Sequence, residues 1–230
     1  MRKLLYIAAI FTVCFAYGQQ KHNNQPTISV TGEGIVTVVP DQVVVSVRVE
    51  HKGKSALEVK ERNDNAIDAV LKFCKKLKID KKDINTTRIN LNKNYDYQKK
   101  TYNYVANQSL SIHLKNLNKY EELIQGVLNS GINRIDGVTF KSSQMKTHER
   151  EARIRAVKNA KEKAVLYAGV LNQEIGKALS ISENTFKTQP YEQKLFRSAN
   201  LESDTQNTSQ TIAIGELKVK VQLQLIFELK

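Results

Sequence analysis

No internal disulfide can be drawn in this chain. Two cysteines occur in 230 residues. Cys14 lies in an apolar N-terminal run, so removal of that run leaves Cys74 alone. A chain of this length can hold a core without a covalent staple. Cys74 has no CxxC partner and no nearby histidine, so it reads as a buried small hydrophobe rather than a redox thiol. Histidine is equally scarce. None of His22, His51, His113 and His148 falls three or four residues from another histidine or a cysteine, which excludes the usual zinc spacings. By alternation His113 belongs on the wet face of its strand, beside Ser111 and Lys115.

Catalytic signatures are missing too. Gly32-Glu-Gly34 lacks the third glycine and the following helix of a dinucleotide loop, and reads as a turn between extended segments. No G-x-S-x-G elbow occurs. The acidic pair Glu121-Glu122 reads as solvated helix surface. The expectation is a protein with no catalytic residues, no cofactor and no metal, hence not an enzyme.

Long hydrophobic runs are absent after the N-terminus. Arg2 and Lys3 precede the apolar stretch Leu4 to Ala16, which is too short to span a hydrocarbon core of ~30 Å. Ala16-Tyr17-Gly18 then puts small residues at −3 and −1 of a cut before Gln19. Basic, apolar, small-x-small is the layout of a secretory signal peptide over residues 1–18. A retained anchor is the alternative. A lipoprotein fits less well, because Cys14 follows Thr12-Val13 without the small residue a lipidated cysteine wants.

What is present is positive charge. The formal balance is +13, and the pI is about 9.6. Loss of Arg2 and Lys3 with the signal leaves about +11. Such a surface suits anionic lipid headgroups, acidic cell-surface polymers or nucleic acid, and export weighs against the last.

Hydrophobic periodicity gives an alternation of strands and helices. Residues 19–26 form a polar leader. Thr27–Thr31 and Ile35–Val39 read as extended, with a turn at Pro40-Asp41. Val43, Val45, Val47 and Val49 alternate with Val44, Ser46, Arg48 and Glu50, as in a strand with one wet face. Ser55 and Glu58 suggest a capping box opening a helix, with Ala56, Val59, Ala66, Val70, Cys74 and Leu77 on its apolar stripe. Residues 86–92 return as a strand with Thr87, Ile89 and Leu91 on one face.

The segment Asn94 to Tyr104 reads as a hairpin tip or a long strand pair, returning with Ala106, Leu110, Ile112 and Leu114 on one face. Asn118 and Glu121 cap a short helix that Gly131 closes, and Ile135 to Phe140 gives another strand. A long helix over about 145–172 carries Ala152, Ala156, Val157, Ala160, Ala164, Ala168 and Leu171 as its stripe. A strand at Lys177–Ser182 follows. The polar stretch 184–210, with Pro190, is expected to be a loop. The chain closes on an alternating strand with Leu217, Val219, Val221, Leu223, Leu225, Phe227 and Leu229 on one face, preceded by a bulge at Gly215.

In this order the segments resemble the SIMPL-domain family of bacterial periplasmic and envelope proteins, which includes a group of periplasmic immunogenic proteins. The matching residues are Ile28 to Gly34, Pro40-Asp41, Ala66 and Val70, and Asp83 to Thr86. They continue with Tyr95 to Tyr104, Gly131 to Gly137 with Phe140, the series Ala152, Ala156, Ala160, Ala164 and Ala168, and Gly176. The match covers about 27–230; its strength lies in order and spacing rather than in any one motif. The resemblance implies an α+β fold of βα units with helices packed on largely antiparallel sheet. It also implies oligomers, a periplasmic or envelope location, and for some members a link to oxidative-stress tolerance. It carries over no catalytic residues.

One cluster stands out as a surface. Tyr95, Tyr97, Tyr102 and Tyr104 interleave with Lys99 and Lys100. They can stack across strands or offer a contact surface, since tyrosine supplies area at low entropic cost. The resulting expectation is an exported envelope protein with a structural or interaction role that self-assembles into a homo-oligomer through sheet edges and the 94–104 segment that carries these tyrosines. The alternative is a basic binding module for an anionic envelope polymer, lipid or nucleic acid; an unrecognised enzyme comes third.

Overall fold

A computed structural model describes residues 25–191 and 214–230, with side chains from 184 to 191 left aside. The expected signal peptide and most of the polar leader fall outside these residues. Among the described residues, seven strands and three α-helices follow one another along the chain. They are β1 (Thr27–Val38), β2 (Gln42–Gly53), α1 (Ala56–Lys76), β3 (Ile84–Asp96), β4 (Thr101–Leu114), α2 (Tyr120–Asn129), β5 (Arg134–Lys141), α3 (Met145–Val170), β6 (Ile175–Tyr191) and β7 (Glu216–Leu229). The strands form two antiparallel sheets, ordered β1-β7-β6 and β3-β4-β2-β5. The fold is therefore α+β, as the family resemblance implied. By backbone contacts the described residues fall into two compact units, one of 25–33, 156–184 and 222–230, the other holding the remainder.

The larger unit is built on β2. Its valines 43, 45, 47 and 49 are all fully buried, because β2 is flanked on both sides and covered on one face. It pairs with β4 from Val43↔Leu114 to Gly53↔Tyr104. On its other side it pairs with β5 from Gln42↔Lys141 to Arg48↔Arg134. Helix α1 contributes Ala66, Ile67, Val70 and Cys74 to the core on this face, and α2 contributes Leu123 and Val127. At ~25 cal/mol per Å² of apolar area, this cluster is the main stabilising element of the unit. The helices approach closely at Gly126, where an added Cβ would overlap the Phe73 ring.

Polar side chains sit where register irregularities place them. The shift between Ser46 and Val47 leaves Asp136 unpaired in the β2–β5 ladder, and its carboxylate meets Arg48 at 2.7 Å and Arg134 at 2.9 Å. Asp41, in the Pro40-Asp41 turn, accepts from the Ser143 backbone N–H at 2.7 Å and from the Ser143 hydroxyl. That clamp joins the β1–β2 turn to the β5–α3 turn.

In the smaller unit α3 packs on the start of β1. Ala156, Ala160, Ala164 and Ala168 are buried, and an added Cβ at Gly32 would meet Ala160 Cβ at 2.7 Å. β1 is an edge strand, and the helix serves part of its open edge. Asn159 Oδ1 accepts from the Glu33 N–H at 3.1 Å, and Lys163 Nζ donates to the Thr31 carbonyl at 2.9 Å. Side chains four residues apart thus take up backbone groups two residues apart, which blunts the edge against strand addition.

Several local expectations change. Ser55 is the α1 N-cap residue, but its side chain makes no capping bond, so the capping box does not form. Asn118 does not cap α2, which starts at Tyr120 with Lys119 as its N-cap residue and no side-chain capping bond; Asn116 instead caps the preceding 3-10 turn by accepting from the Asn118 N–H. In β3 a register shift between Thr86 and Arg88 takes Thr87 out of the ladder, and Thr86, opposite Leu110, falls in step with Ile89 opposite Gln108 and Leu91 opposite Ala106. Val157 and Leu171 leave the α3 stripe: the buried set keeps a strict four-residue step, and Leu171 is 66% exposed. Strand β6 runs through to Tyr191, over the first residues of the segment expected to be a loop; residues 192–213 lie outside the described residues. Gly215 has φ +63°, a conformation glycine adopts without steric cost.

Candidate interaction surface

The four tyrosines come together at the end of the β3–β4 hairpin. The hairpin is both alternatives at once, a long strand pair with a tip. Asn94↔Asn103, Tyr95↔Tyr102 and Asp96↔Thr101 are its last pairs. β2 stops pairing at Gly53↔Tyr104, so from Asn103 to Thr101 β4 pairs with β3 alone among the described strands. The turn is closed by Asp96, whose Oδ1 accepts from the N–H groups of Gln98 at 3.0 Å and Lys99 at 3.1 Å. Lys100 completes it with φ +50°.

Opposed residues in an antiparallel ladder share a face. Tyr95 and Tyr102 are such a pair, with ring centroids 4.9 Å apart. Tyr97 meets Tyr95 edge-on at 5.1 Å, the T-shaped geometry that aromatic quadrupoles favour. Lys93 Nζ lies 4.2 Å from the Tyr102 ring centre, a cation–π contact. The rings are therefore pre-arranged, yet they stay in water: Tyr97 is 84% exposed and Tyr102 59%. Tyr104 is only partly exposed and stands at the base of the tip.

The same face continues down the hairpin. Ile89 opposes Gln108 and Leu91 opposes Ala106. Ile89 is 67% exposed, and Leu91 is exposed as well. β3 is an edge strand of its sheet, so this is an apolar strip with nothing paired beyond it among the described strands.

A second apolar surface was not read from the sequence. On α3, Val165, Leu166, Tyr167 and Val170 are all exposed and lie outside the set of buried alanines. Apolar residues thus occupy more than one side of the helix. The signal was visible as Val165-Leu166-Tyr167 lying between stripe positions Ala164 and Ala168.

The histidines take structural positions. His51 Nδ1 stands 2.6 Å from Asn63 Oδ1, which satisfies an asparagine buried on α1. His113 Nε2 is 2.9 Å from Gln42 Oε1, and its Nδ1 is 3.6 Å from Asp83. Lys115, hydrogen-bonded to Asp83, holds that carboxyl below its ordinary range. Cys74 is buried, and desolvation pushes its thiol up to about 11. Among the described residues no three His, Cys, Asp or Glu side chains converge as a metal site would require, and no helix is long and apolar enough to cross a membrane.

Two antiparallel sheets with interleaved helices and an exposed aromatic hairpin tip define an α+β protein. The chain belongs to the SIMPL family, described as a protein of unknown function (DUF541), whose model matches residues 28–227. It is 26% identical over 235 residues to the 26 kDa periplasmic immunogenic protein of Brucella melitensis, covering 99% of this chain and 94% of that protein. It is 24% identical over 232 residues to the uncharacterized protein YggE of Escherichia coli K12, with the same coverage of each.

Proposed function

We infer that the chain is an exported, non-catalytic envelope protein that assembles with copies of itself through the tip of the β3–β4 hairpin. The observation that carries this reading is the Tyr95–Tyr97–Tyr102 cluster. Its rings already touch one another and remain exposed, so binding would bury them at little further ordering cost. Ile89 and Leu91 extend the apolar strip along an open sheet edge. The name of the Brucella relative supports a periplasmic location, as does the N-terminal layout. A contribution to oxidative-stress tolerance would come from the assembly rather than from thiol chemistry, since Cys74 is buried and its thiol is held protonated.

Charge opposes association, because about +11 on each mature chain repels its copies. Salt screens that repulsion beyond about 8 Å at physiological strength. Assembly should therefore strengthen as salt is raised. The test replaces Tyr95, Tyr97, Tyr102 and Tyr104 with serine and measures mass by light scattering at two salt concentrations. The expected result is a wild-type oligomer and a lighter variant. A wild type monomeric at both salts would end the assembly reading; an undiminished variant mass would move the contact away from the hairpin.

A further inference from the structure

An open groove of about 840 Å³ lies between the C-terminal half of α1 and the start of β3, at the opposite end of the hairpin from the tyrosines. Its apolar wall comes from Leu71, Ile79, Ile84 and Leu110. Its rim carries Lys72, Lys75, Lys78 and Lys81, three residues apart along the chain. Lys72 pairs with Asp68 at 2.6 Å. Lys75, Lys78 and Lys81 have no carboxylate within ion-pair distance among the described residues. The one acidic lining residue, Asp80, already faces Lys82 at 3.6 Å and Lys115 at 3.9 Å.

Lys78 adds a second observation. It sits just past the helix end with φ +66°, where glycine or asparagine is the usual residue. The N–H groups of Lys78 and Ile79 return to the carbonyls of Lys75 at 3.1 Å and Cys74 at 2.9 Å, which closes the helix and fixes the backbone of this rim residue.

We propose that this groove binds a single-chain anionic amphiphile, with the acyl chain along Leu71, Ile79, Ile84 and Leu110 and the anionic head held by Lys75, Lys78 and Lys81. The volume lies within the range of small-molecule sites, which are mostly apolar with a few convergent polar groups. A hydrophilic polyanion would use the lysines but leave the apolar wall in water. An added peptide strand is disfavoured because Ile84 and Thr86 are the only β3 residues lining the groove, and the irregularity at Thr87 interrupts the edge directly after them. Lysine stems extend apolar walls while their ammonium groups stay wet, so rim and wall form one amphipathic surface. The site shares no residue with the proposed assembly surface, so either reading can fail alone.

The experiment titrates the full chain by calorimetry with decanoate and dodecanoate below their micelle-forming concentrations. Affinity should rise roughly tenfold over the two added methylenes, at ~0.8 kcal/mol per buried CH₂. Lys75→Gln/Lys78→Gln/Lys81→Gln should weaken dodecanoate at least about tenfold, for the loss of about 1.4 kcal/mol of head-group interaction. Removing equal charge elsewhere, with Lys146→Gln/Lys158→Gln/Lys161→Gln, should leave it within about twofold. Leu71→Gln, at an exposed position, should flatten the chain-length dependence while the fold stays intact by circular dichroism. Lauroyl-lysophosphatidylglycerol distinguishes the source: binding it as well as dodecanoate marks an envelope lipid, binding dodecanoate alone marks a free fatty acid, and both support the site. Equal loss in the charge-matched control overturns the proposal. So does chain-length-independent binding, equal affinity for neutral dodecyl maltoside, or heparin occupying these lysines where dodecanoate does not bind.

Discussion

Gly32 on β1 has no room for a side chain because Ala160 of α3 lies against it: a Cβ at residue 32 would stand 2.7 Å from the Ala160 Cβ and overlap the Ala156 carbonyl oxygen. The glycine of a Gly-Glu-Gly sequence, which in other settings cradles a phosphate, here admits a helix to the surface of a strand. The small residues on the two partners explain one another, since α3 can come this close only with alanine at 152, 156, 160, 164 and 168.

Gly32→Ala should therefore cost about 3 kcal/mol or more, at the upper end of overpacking effects. The obstruction is helix backbone and cannot rotate away. Urea unfolding of the two proteins measures it. A loss below about 0.5 kcal/mol, the scale of an unconstrained surface change, would mean that α3 does not lie on β1 as described.

Gly126→Ala should destabilise by a smaller amount, about 1–3 kcal/mol. The obstacle here is the Phe73 ring, a side chain with some freedom to move. Phe73→Leu in the same background should recover part of the loss, and a double-mutant cycle reads the coupling. Strict additivity would argue against contact between the two residues.

Cys74 should resist labelling by thiol reagents in native protein and react at full rate in urea. Its raised folded pKa also sets a pH dependence with a definite sign. The folded thiol keeps its proton to about 11, while the unfolded thiol loses it near 8.5–9. The stabilisation is complete below the unfolded value and is lost as pH rises through that interval. Cys74→Ala should cost on the order of 1 kcal/mol at neutral pH and show a shallower decline between pH 9 and 11. It should also leave peroxide survival unchanged in cells carrying the protein; a selective loss of survival would restore a redox role.

Asp41 acts in the opposite direction. The hydroxyl and backbone N–H of Ser143 hold its carboxyl below the ordinary value of 3.8. This stabilisation is present above the unfolded pKa and is lost as pH falls through the lower folded one. Ser143→Ala should therefore reduce the gap in stability between neutral pH and pH 3, with a cost at pH 7 of about 1 kcal/mol. An unchanged acid limb would show that the clamp does not persist in solution.

The β2 core was legible from sequence because its period is unambiguous. Four valines at alternate positions must face one way in any extended chain, and all four are fully buried. The tyrosine hairpin was legible for a related reason: few aliphatic residues around 94–104 leave it unable to join a core. The groove and the β1 edge were not. In the linear sequence Arg155, Lys158 and Lys163 are alike, basic residues between the stripe positions of one helix. Yet Arg155 donates to the Ile35 carbonyl at 2.7 Å and Lys163 to that of Thr31, while Lys158 remains exposed. Likewise Lys75 and Lys78 stand at the end of α1, and their place on a groove rim depends on where β3 returns.

The sequence by itself determined the alternation of strands and helices, the buried faces of β2, β4 and β7, the alanine stripe of α3 and the family. These follow from periodicities of two and of three to four residues, which are local properties of the chain. Tertiary structure alone decided which lysines meet backbone carbonyls, which rim an apolar groove and which stay in water. It also decided that Gly32 serves a close approach and that Thr87 leaves its ladder. Those outcomes depend on pairings between residues tens to more than a hundred positions apart, and no local pattern carries that information.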